Sequence, residues 1–317
     1  MMSPFSVIWL LISSGVSVAA LITLLFDWAP ISSLFNFGKL MRSSDDHDTS
    51  SLTRNYKKLI EIIQVPKRWF IHFYYFGILV LLMSTVISLK CINGGCYHLE
   101  MFLKFIFNHD SKVGGDIFYQ KYQDTSIQRN VIMMYALFGI QLIRRLLEEK
   151  FLFISSTATI NLIHYAMGFL FYGSFTLLLL SYSVTRLDVA SNDGTNFRII
   201  LAMLLFLIGQ YIQYSSHKSL ANLRRGMSIE DRRNLDKAYL IPRGRFFELV
   251  SCPNYFAECL IYTCFLFLSQ FEWNMCSLVI WVLSNQTFAS LACHAWYRKK
   301  FSRLYPRNRR AIFPFIL

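Results

Sequence analysis

The sequence predicts an all-α integral membrane protein with seven transmembrane helices in one bundle. Of its 317 residues, 54% are hydrophobic and only 16% are charged, whereas an ordinary soluble domain carries about 25% charged residues. Uncharged stretches close to the length that crosses a bilayer, about 20 residues, recur along the chain. This composition excludes a disordered chain, a collagen and a small disulfide-rich secreted module.

Seven apolar stretches are candidate spans, and two of them are weak. The third is short and ends at Arg144 and Arg145, so it spans only if both side chains extend to the interface. The sixth carries one acidic residue, Glu258. In chain order the stretches are 5–26, 69–89, 130–143, 157–185, 199–216, 255–271 and 273–297.

The basic residues predict the orientation of the bundle. Most of the 32 Lys and Arg residues follow the first, third and fifth spans or lie in the C-terminal tail. By the positive-inside rule, this places the N-terminus in the lumen and the C-terminus in the cytosol. The net charge of +13 is then a feature of the membrane topology, so we expect a bilayer as partner and no nucleic acid.

The first stretch is expected to be a retained helix. No Lys or Arg precedes it, and it is longer than the apolar part of a signal peptide. We therefore divide the chain into 1–64, a first transmembrane helix with a cytosolic linker, and 65–317, one membrane domain.

The cysteines and histidines indicate no metal site. The seven Cys form no CxxC pair, and the seven His do not cluster at ligand spacing. We expect the cysteines to be buried apolar side chains, although Cys91 and Cys96 could pair if their loop is lumenal.

The polar groups of the last 100 residues are the candidates for a functional site. Gln213, His217 and Arg224 share one helix face, which is either a ligand-binding face or a solvated basic helix end. Glu258 lies inside a span, where an acid is costly, and we expect an arginine from the preceding loop as its partner. The tail 298–317 holds seven basic residues and no acid, so it is either a phosphate clamp or a membrane-surface segment.

Several short motifs together resemble the steroid 5α-reductase family, and most closely its polyprenol reductase branch. They extend in order over most of 65–317, whereas nucleotide-binding motifs such as GxGxxG and GxxxxGK[ST] are absent from the sequence. The motifs are Val65-Pro66-Lys67-Arg68-x-Phe70-x-His72-Phe73-Tyr74, Arg144-Arg145-Leu-x-Glu148, Asn222-Leu-Arg224, Ile241-Pro-x-Gly244, Phe247-Glu248-x-Val-Ser-x-Pro253-Asn254-Tyr255-x-Ala-Glu258, His294-x-x-Tyr297 and Tyr305-Pro-x-x-Arg309-x-Ala-x-x-Pro314-Phe.

The resemblance implies an NADPH-dependent reductase of the endoplasmic reticulum membrane. The catalytic Glu and Tyr of the steroid enzymes have no clear match: Leu142 stands at the Tyr position, and the Glu position falls near His72 and Phe73. The cofactor contacts it implies are Gln213, His217, Arg224, Tyr239, Asn254, Glu258, Tyr297 and Arg309.

The reaction expected from this branch is reduction of the terminal isoprene double bond of a long-chain polyprenoid lipid. Because hydride adds to a double bond that is conjugated with a carbonyl, we expect the aldehyde as the immediate substrate. His72, three residues into an otherwise apolar span, is the first candidate for the proton donor and Tyr74 the second, with His164 and His294 as rivals.

Two alternatives remain open at this point. One is a reductase of the same family that acts on a 3-oxo-steroid or another enone lipid. The other is a non-catalytic membrane scaffold or transporter whose buried charges hold the bundle together.

Overall fold

The structure is a computed structural model of a largely helical protein. It describes residues 2–26, 64–92, 96–107, 125–154, 159–185, 195–228, 230 and 239–317. The linker that follows the first helix, expected in 27–63, lies outside the described residues.

Eight α-helices and one pair of short strands make up the described fold. The strands β1 and β2 pair antiparallel, with Val65 opposite Ile160, which adds a small sheet to the expected all-α fold. In chain order the elements are α1 (Pro4–Phe26), β1 (Gln64–Pro66), α2 (Ile71–Ile92), α3 (Tyr97–Phe107), α4 (Thr125–Leu147), β2 (Thr159–Asn161), α5 (Leu162–Thr185), α6 (Thr195–Arg225), α7 (Pro253–Leu268) and α8 (Trp273–Phe301).

Five of the helical segments are long and apolar enough to cross a membrane. Two shorter apolar helices, Pro4–Val18 and Pro253–Leu268, coincide with the first and sixth expected spans. The membrane character is thus confirmed, while the count of seven spans and the orientation stay predictions. The five long segments are Lys67–Cys91, Arg129–Leu152, Leu162–Val184, Asn196–Arg225 and Trp273–Leu304.

Helices α6 and α7 form the tightest pair in the bundle, and Gly209 allows their close approach. A Cβ atom at Gly209 would lie 2.7 Å from the side chain of Ile261 and 3.0 Å from the carbonyl oxygen of Ala257. Small residues at such crossings let the backbones of membrane helices meet. The contact fixes Gln213 on α6 against Glu258 on α7.

The N-terminal helix α1 packs against the last helix, α8. The hydroxyl of Ser6 donates to the Asn274 side chain at 2.8 Å, and Ser3 donates to the same oxygen. Glu272 caps α8 and also accepts a hydrogen bond from Tyr182 at 2.7 Å. These buried polar contacts join α1, α5 and α8 at the end of the bundle opposite the C-terminal tail.

The C-terminal tail folds back onto the segment that precedes α7. The backbone N–H of Ser251 donates to the carbonyl of Arg310 at 2.8 Å, and that of Arg310 donates to Leu249 at 3.0 Å. Ala311 and Ile312 are buried there. The end of the bundle that carries this tail is called the tail end below.

Cys91 and Cys96 form a disulfide between the end of α2 and the start of α3, at the end of the bundle away from the tail. The expectation that the cysteines are unpaired apolar side chains is therefore wrong for these two. It holds for Cys252, Cys259, Cys264 and Cys293, which are buried and form no disulfide within the described residues.

Substitution of Gly209 tests the α6–α7 contact. We expect Gly209→Ala to lower the free energy of unfolding by about 1–3 kcal/mol, because the added methyl group overpacks the crossing. Thermal unfolding in detergent measures the effect. Gly139→Ala is the control, since its Cβ would sit 3.5 Å from Leu81, an ordinary contact; equal effects of the two substitutions would contradict the assignment.

Candidate functional site

The candidate site is a cluster of polar side chains buried between helices α2, α4, α6 and α7. Helix α4 contributes Gln141, Arg144 and Arg145, and Glu148, the first residue after the helix, continues the same face at helical spacing. After Leu147 the helix widens into a π-helical turn, Glu148–Leu152, as helices often do at functional sites. We call these four residues, with Gln213, His217 and Glu258, the central cluster.

Glu148 is the hub of one half of the cluster. It is 4% exposed, and it pairs with Arg145 at 2.5 Å and with Arg144 through its other oxygen. The Nδ1 atom of His217 lies 2.8 Å from the same carboxylate, and the ring of Phe153 covers the imidazole. The two arginines therefore point inward to Glu148. The condition that the third span needs both side chains at the interface is wrong, because Arg129–Leu152 is long and apolar enough to span with the arginines paired to Glu148.

Glu258 is the hub of the other half. It accepts hydrogen bonds from the side-chain amides of Gln213 and Gln141, the latter at 3.5 Å. Arg144 donates to both glutamines, at 2.8 Å to Gln141. The expected arginine from the loop before α7 is thus replaced by two amides from neighbouring helices, because α6 and α4 pack directly on α7.

The formal charges of the central cluster cancel. Arg144 and Arg145 supply two positive groups, and Glu148 and Glu258 supply two carboxylates. Burying one such charge alone costs several kcal/mol even after the protein relaxes. The balance and the dense hydrogen bonding let the cluster exist inside an apolar bundle.

Of the two leading candidates for the proton donor, only Tyr74 touches the central cluster in the described structure. Its hydroxyl oxygen accepts a hydrogen bond from Arg145 at 2.9 Å, and the residue is 5% exposed. His72 is exposed, and its Nδ1 lies 2.8 Å from the hydroxyl of Tyr165. Trp69 lies beside both of these rings on the outer surface of the bundle.

The two rival histidines lie elsewhere. His294 is held by Ser251 at 2.6 Å, and Ser251 in turn contacts the Tyr305 hydroxyl at 2.5 Å. His164 is half-buried at the start of α5. His294 therefore belongs to the contact that fixes the C-terminal tail.

The tail end holds a second group of candidate residues, around Arg309. The Arg309 side chain is buried and donates to the carbonyl of Pro242 at 3.1 Å. Its Nε and Nη2 atoms have no hydrogen-bond partner among the described residues, although Glu248 lies 3.7 Å from Nη2. Buried N–H groups without a partner are costly, and they suit an anionic ligand.

Tyrosine rings line the approach to Arg309. The Tyr305 ring lies 5.1 Å from the guanidinium carbon of Arg309 and is stacked on Tyr297 with centroids 5.5 Å apart. Burial raises the pKa of the Tyr305 hydroxyl above its usual value, so it stays neutral. Gly244, at φ 83°, supplies the left-handed turn that places Glu248 here.

The remaining residues assigned by the resemblance lie at the tail end as well. Tyr239 packs against Trp296 and lies 5.7 Å from the amine of Lys300. Arg224 is in the last turn of α6, and Asn254 is in the first turn of α7. The eight assigned residues thus fall into two places: Gln213, His217 and Glu258 in the central cluster, and the other five towards the tail.

Comparisons with known proteins place the chain in a family. Residues 158–317 match the family described as 3-oxo-5-alpha-steroid 4-dehydrogenase. The chain is 29% identical to a polyprenal reductase of Drosophila melanogaster over 307 residues, which is 90% of each protein. It is 30% identical to a polyprenal reductase of Danio rerio over 263 residues, 81% of each.

The chain belongs to the 3-oxo-5-alpha-steroid 4-dehydrogenase family. The resemblance found in its motifs, including that to the polyprenol reductase branch, is thereby confirmed. A steroid 5-alpha-reductase of Arabidopsis thaliana is also similar, with 36% identity over 126 residues, 39% of this chain and 45% of that protein.

The motif Arg144-Arg145-Leu-x-Glu148 contributed to the family resemblance, but the sequence assigned no site role to it or to Gln141. Gln141 is a polar residue inside an otherwise apolar span, and such residues mark functional sites by default. The pair Arg144 and Glu148 has the i, i+4 spacing of an ion pair on one helix face. Both signals were present in the sequence, but only the hydrogen bonds between α4 and α6 show that these side chains point inward.

Removal of the Glu148 charge tests the ion-pair balance. We expect Glu148→Gln to lower the free energy of unfolding by about 3–5 kcal/mol, because two buried guanidinium groups lose their shared carboxylate.

The matched control is Glu100→Gln. Its ion pair with Lys104, at 2.7 Å, is 22% exposed on each side, so its loss costs about 1 kcal/mol or less. Thermal unfolding of both variants in detergent gives the comparison; a Glu148→Gln variant as stable as the control would contradict the account.

Proposed function

We propose that this protein is an NADPH-dependent reductase of a polyprenoid lipid. It reduces the α-isoprene double bond of polyprenal to give dolichal, within the conversion of polyprenol to dolichol that feeds protein N-glycosylation. Membership of a reductase family supports an oxidoreductase that acts on a carbon–carbon double bond, and the polyprenal reductases among its relatives support this substrate. The family also argues against a non-catalytic scaffold or transporter.

The observation that carries the proposal is the buried Tyr74 hydroxyl that Arg145 contacts at 2.9 Å. Hydride addition to the β carbon of an unsaturated aldehyde moves an electron pair onto the carbonyl oxygen. A positioned donor stabilises that developing charge. Because the Tyr74 oxygen already accepts a hydrogen bond from a cation, its own proton is polarised and available to the substrate oxygen.

The reaction then needs one hydride and one proton. The hydride goes to the β carbon, the enolate forms with its charge on oxygen near Tyr74, and a proton is added at the α carbon. An allylic alcohol has no carbonyl to accept the electron pair, so the alcohol is not the immediate substrate.

The tail-end group and the central cluster fit the two ends of a dinucleotide. Arg309, whose buried Nε and Nη2 atoms have no hydrogen-bond partner in the described part of the chain, suits a phosphate group. Glu258 and Gln213 of the central cluster offer a carboxylate and an amide for the polar edges of the other end. NADPH, when bound, supplies the hydride.

The fold also suits a lipid substrate in the endoplasmic reticulum membrane. Large apolar side chains of α2 and α6, such as Leu82 and Leu207, are exposed on the outside of the bundle, where a bilayer would cover them. The disulfide at the end away from the tail supports a lumenal position for that end. The tail end, with its basic residues, then faces the cytosol.

A steroid enone is the second candidate substrate, because the chain is also similar to a steroid 5-alpha-reductase. Membranes that contain the protein can be incubated with NADPH and, in parallel, with polyprenal, polyprenol or a 3-oxo-steroid enone. A gain of two hydrogens on polyprenal, measured by mass spectrometry, supports the proposal. Gain on polyprenol without any aldehyde overturns the carbonyl argument, and gain on the steroid alone favours the second candidate.

Two single substitutions separate the candidate donors. We expect Tyr74→Phe to lower kcat for polyprenal by about 10²-fold, because the hydroxyl that meets the carbonyl oxygen is lost. His72→Ala, which removes an exposed side chain, should keep kcat near that of the wild type. The opposite pattern would assign the donor to His72.

A tail substitution tests the cofactor end. We expect Arg309→Gln to raise the KM for NADPH by about tenfold or more with little change in kcat. The reason is that the lost charge-assisted contact stabilises the ground state and the transition state equally. Arg303→Gln, on the exposed surface of the same tail, is the control.

Because Arg309 also holds Pro242, the thermal midpoint of the Arg309→Gln variant is measured alongside. A fall in kcat at an unchanged KM for NADPH would contradict the assignment.

A further inference from the structure

Tyr262 carries a buried hydroxyl that the proposed reaction has not used. It lies on α7, four residues after Glu258 and therefore on the same face of that helix. The residue is 1% exposed, and its hydroxyl has no hydrogen-bond partner among the described residues.

Packing alone does not account for this hydroxyl. The Tyr262 ring packs against Phe171 and Phe175, with centroids 5.2 Å and 5.7 Å away. A phenylalanine would make the same ring contacts without burying an unpaired polar group, which always costs stability. The buried hydroxyl therefore lowers the stability of the bundle, and it suits a ligand that brings a hydrogen-bond acceptor.

The hydroxyl lies where the central cluster gives way to the apolar interior. Tyr262 follows Glu258 of the central cluster by one helical turn. Ring contacts also connect it to the proposed donor: Tyr74 packs against Tyr172 with centroids 5.9 Å apart, and Phe171 packs against both Tyr172 and Tyr262. The other side of the ring faces the aromatic core of α5. An aldehyde on a long apolar chain suits such a place, because its oxygen can meet the polar groups and its chain can pack against the aromatic side chains.

We infer that Tyr262 is a second hydrogen-bond donor to the carbonyl oxygen of the substrate. Tyr74 and Tyr262 together form a two-donor site for the charge that develops on that oxygen during hydride addition. Tyr262 keeps its proton throughout. The hydride goes to the β carbon, the electron pair moves to oxygen, and the proton added at the α carbon comes from water. This assignment rests on the proposed function, since it requires a carbonyl in the substrate.

The Tyr262 hydroxyl should also make the site prefer an aldehyde over a hydrocarbon of the same chain length. An aldehyde oxygen accepts hydrogen bonds from both tyrosines, whereas the matching hydrocarbon leaves both hydroxyls unpaired. A site built to hydrogen-bond an oxygen rejects an analogue that lacks it, because its buried polar groups then remain unsatisfied.

The substitution Tyr262→Phe tests the inference in the full-length protein. We expect kcat/KM for polyprenal to fall by about 10²-fold, as on removal of one oxyanion donor, while KM for NADPH stays unchanged. The thermal midpoint should stay equal or rise, because the variant loses an unpaired buried hydroxyl. Tyr211→Phe, on the exposed face of α6, is the matched control and should change neither quantity.

A binding measurement gives a readout that is independent of turnover. Dolichal and a hydrocarbon of the same chain length, each used as a competitive inhibitor, should differ in the variant: affinity for dolichal falls about tenfold, the size of one lost hydrogen bond, and affinity for the hydrocarbon is unchanged.

The outcomes separate this inference from the proposed function. If the wild type reduces polyprenal and Tyr262→Phe matches it in kcat/KM and in dolichal affinity, the inference is overturned and the function stands. Loss of activity together with a lower thermal midpoint assigns Tyr262 a packing role and also overturns it. A wild type that reduces no enal overturns both.

Discussion

The structure depends on the pairing of Glu148 with two arginines inside an apolar bundle. Neither guanidinium group could remain buried without a carboxylate, and the Glu148 carboxylate receives Arg144, Arg145 and His217 at once. Since Arg145 also donates to Tyr74 and Arg144 to Gln213, this single carboxylate links α2, α4 and α6. The candidate chemistry is therefore tied to the stability of the fold: the group that holds the arginines also determines where the Tyr74 hydroxyl lies.

The sequence predicted the class of fold and the family, but not how the polar side chains meet. Apolar stretches are a local property, so the membrane helices could be found from composition alone. The partner of Glu258 could not, because it depends on which helices are neighbours: Gln141 and Gln213 lie 117 and 45 residues away in the chain. The inward turn of Arg144 and Arg145 was missed for the same reason, since a basic pair at the end of an apolar stretch usually extends to the interface. The pairing of Cys91 with Cys96 was left open by the sequence, because it depended on whether their loop is lumenal.

Two sites at different depths match the chemistry of a lipid reductase. The tail end presents arginine and tyrosine side chains near the surface, where a water-soluble dinucleotide can arrive. The central cluster, with Tyr74 and Tyr262, lies deeper between the helices, where a lipid can present its oxygen-bearing end. Helix α7 runs between the two, from Asn254 through Glu258 to Tyr262, and the close packing at Gly209 holds it against α6. Helix α7 therefore fixes the position of the proposed cofactor site at the tail end relative to the proposed substrate site in the central cluster.

A structure of the protein with NADP⁺ and dolichal bound would test the central claim most directly. The account predicts the carbonyl oxygen between helices α2 and α7, within hydrogen-bond distance of the Tyr74 hydroxyl, about 2.5–3.0 Å. A carbonyl oxygen bound instead at His72 and Tyr165, on the outer surface of the bundle, would contradict it.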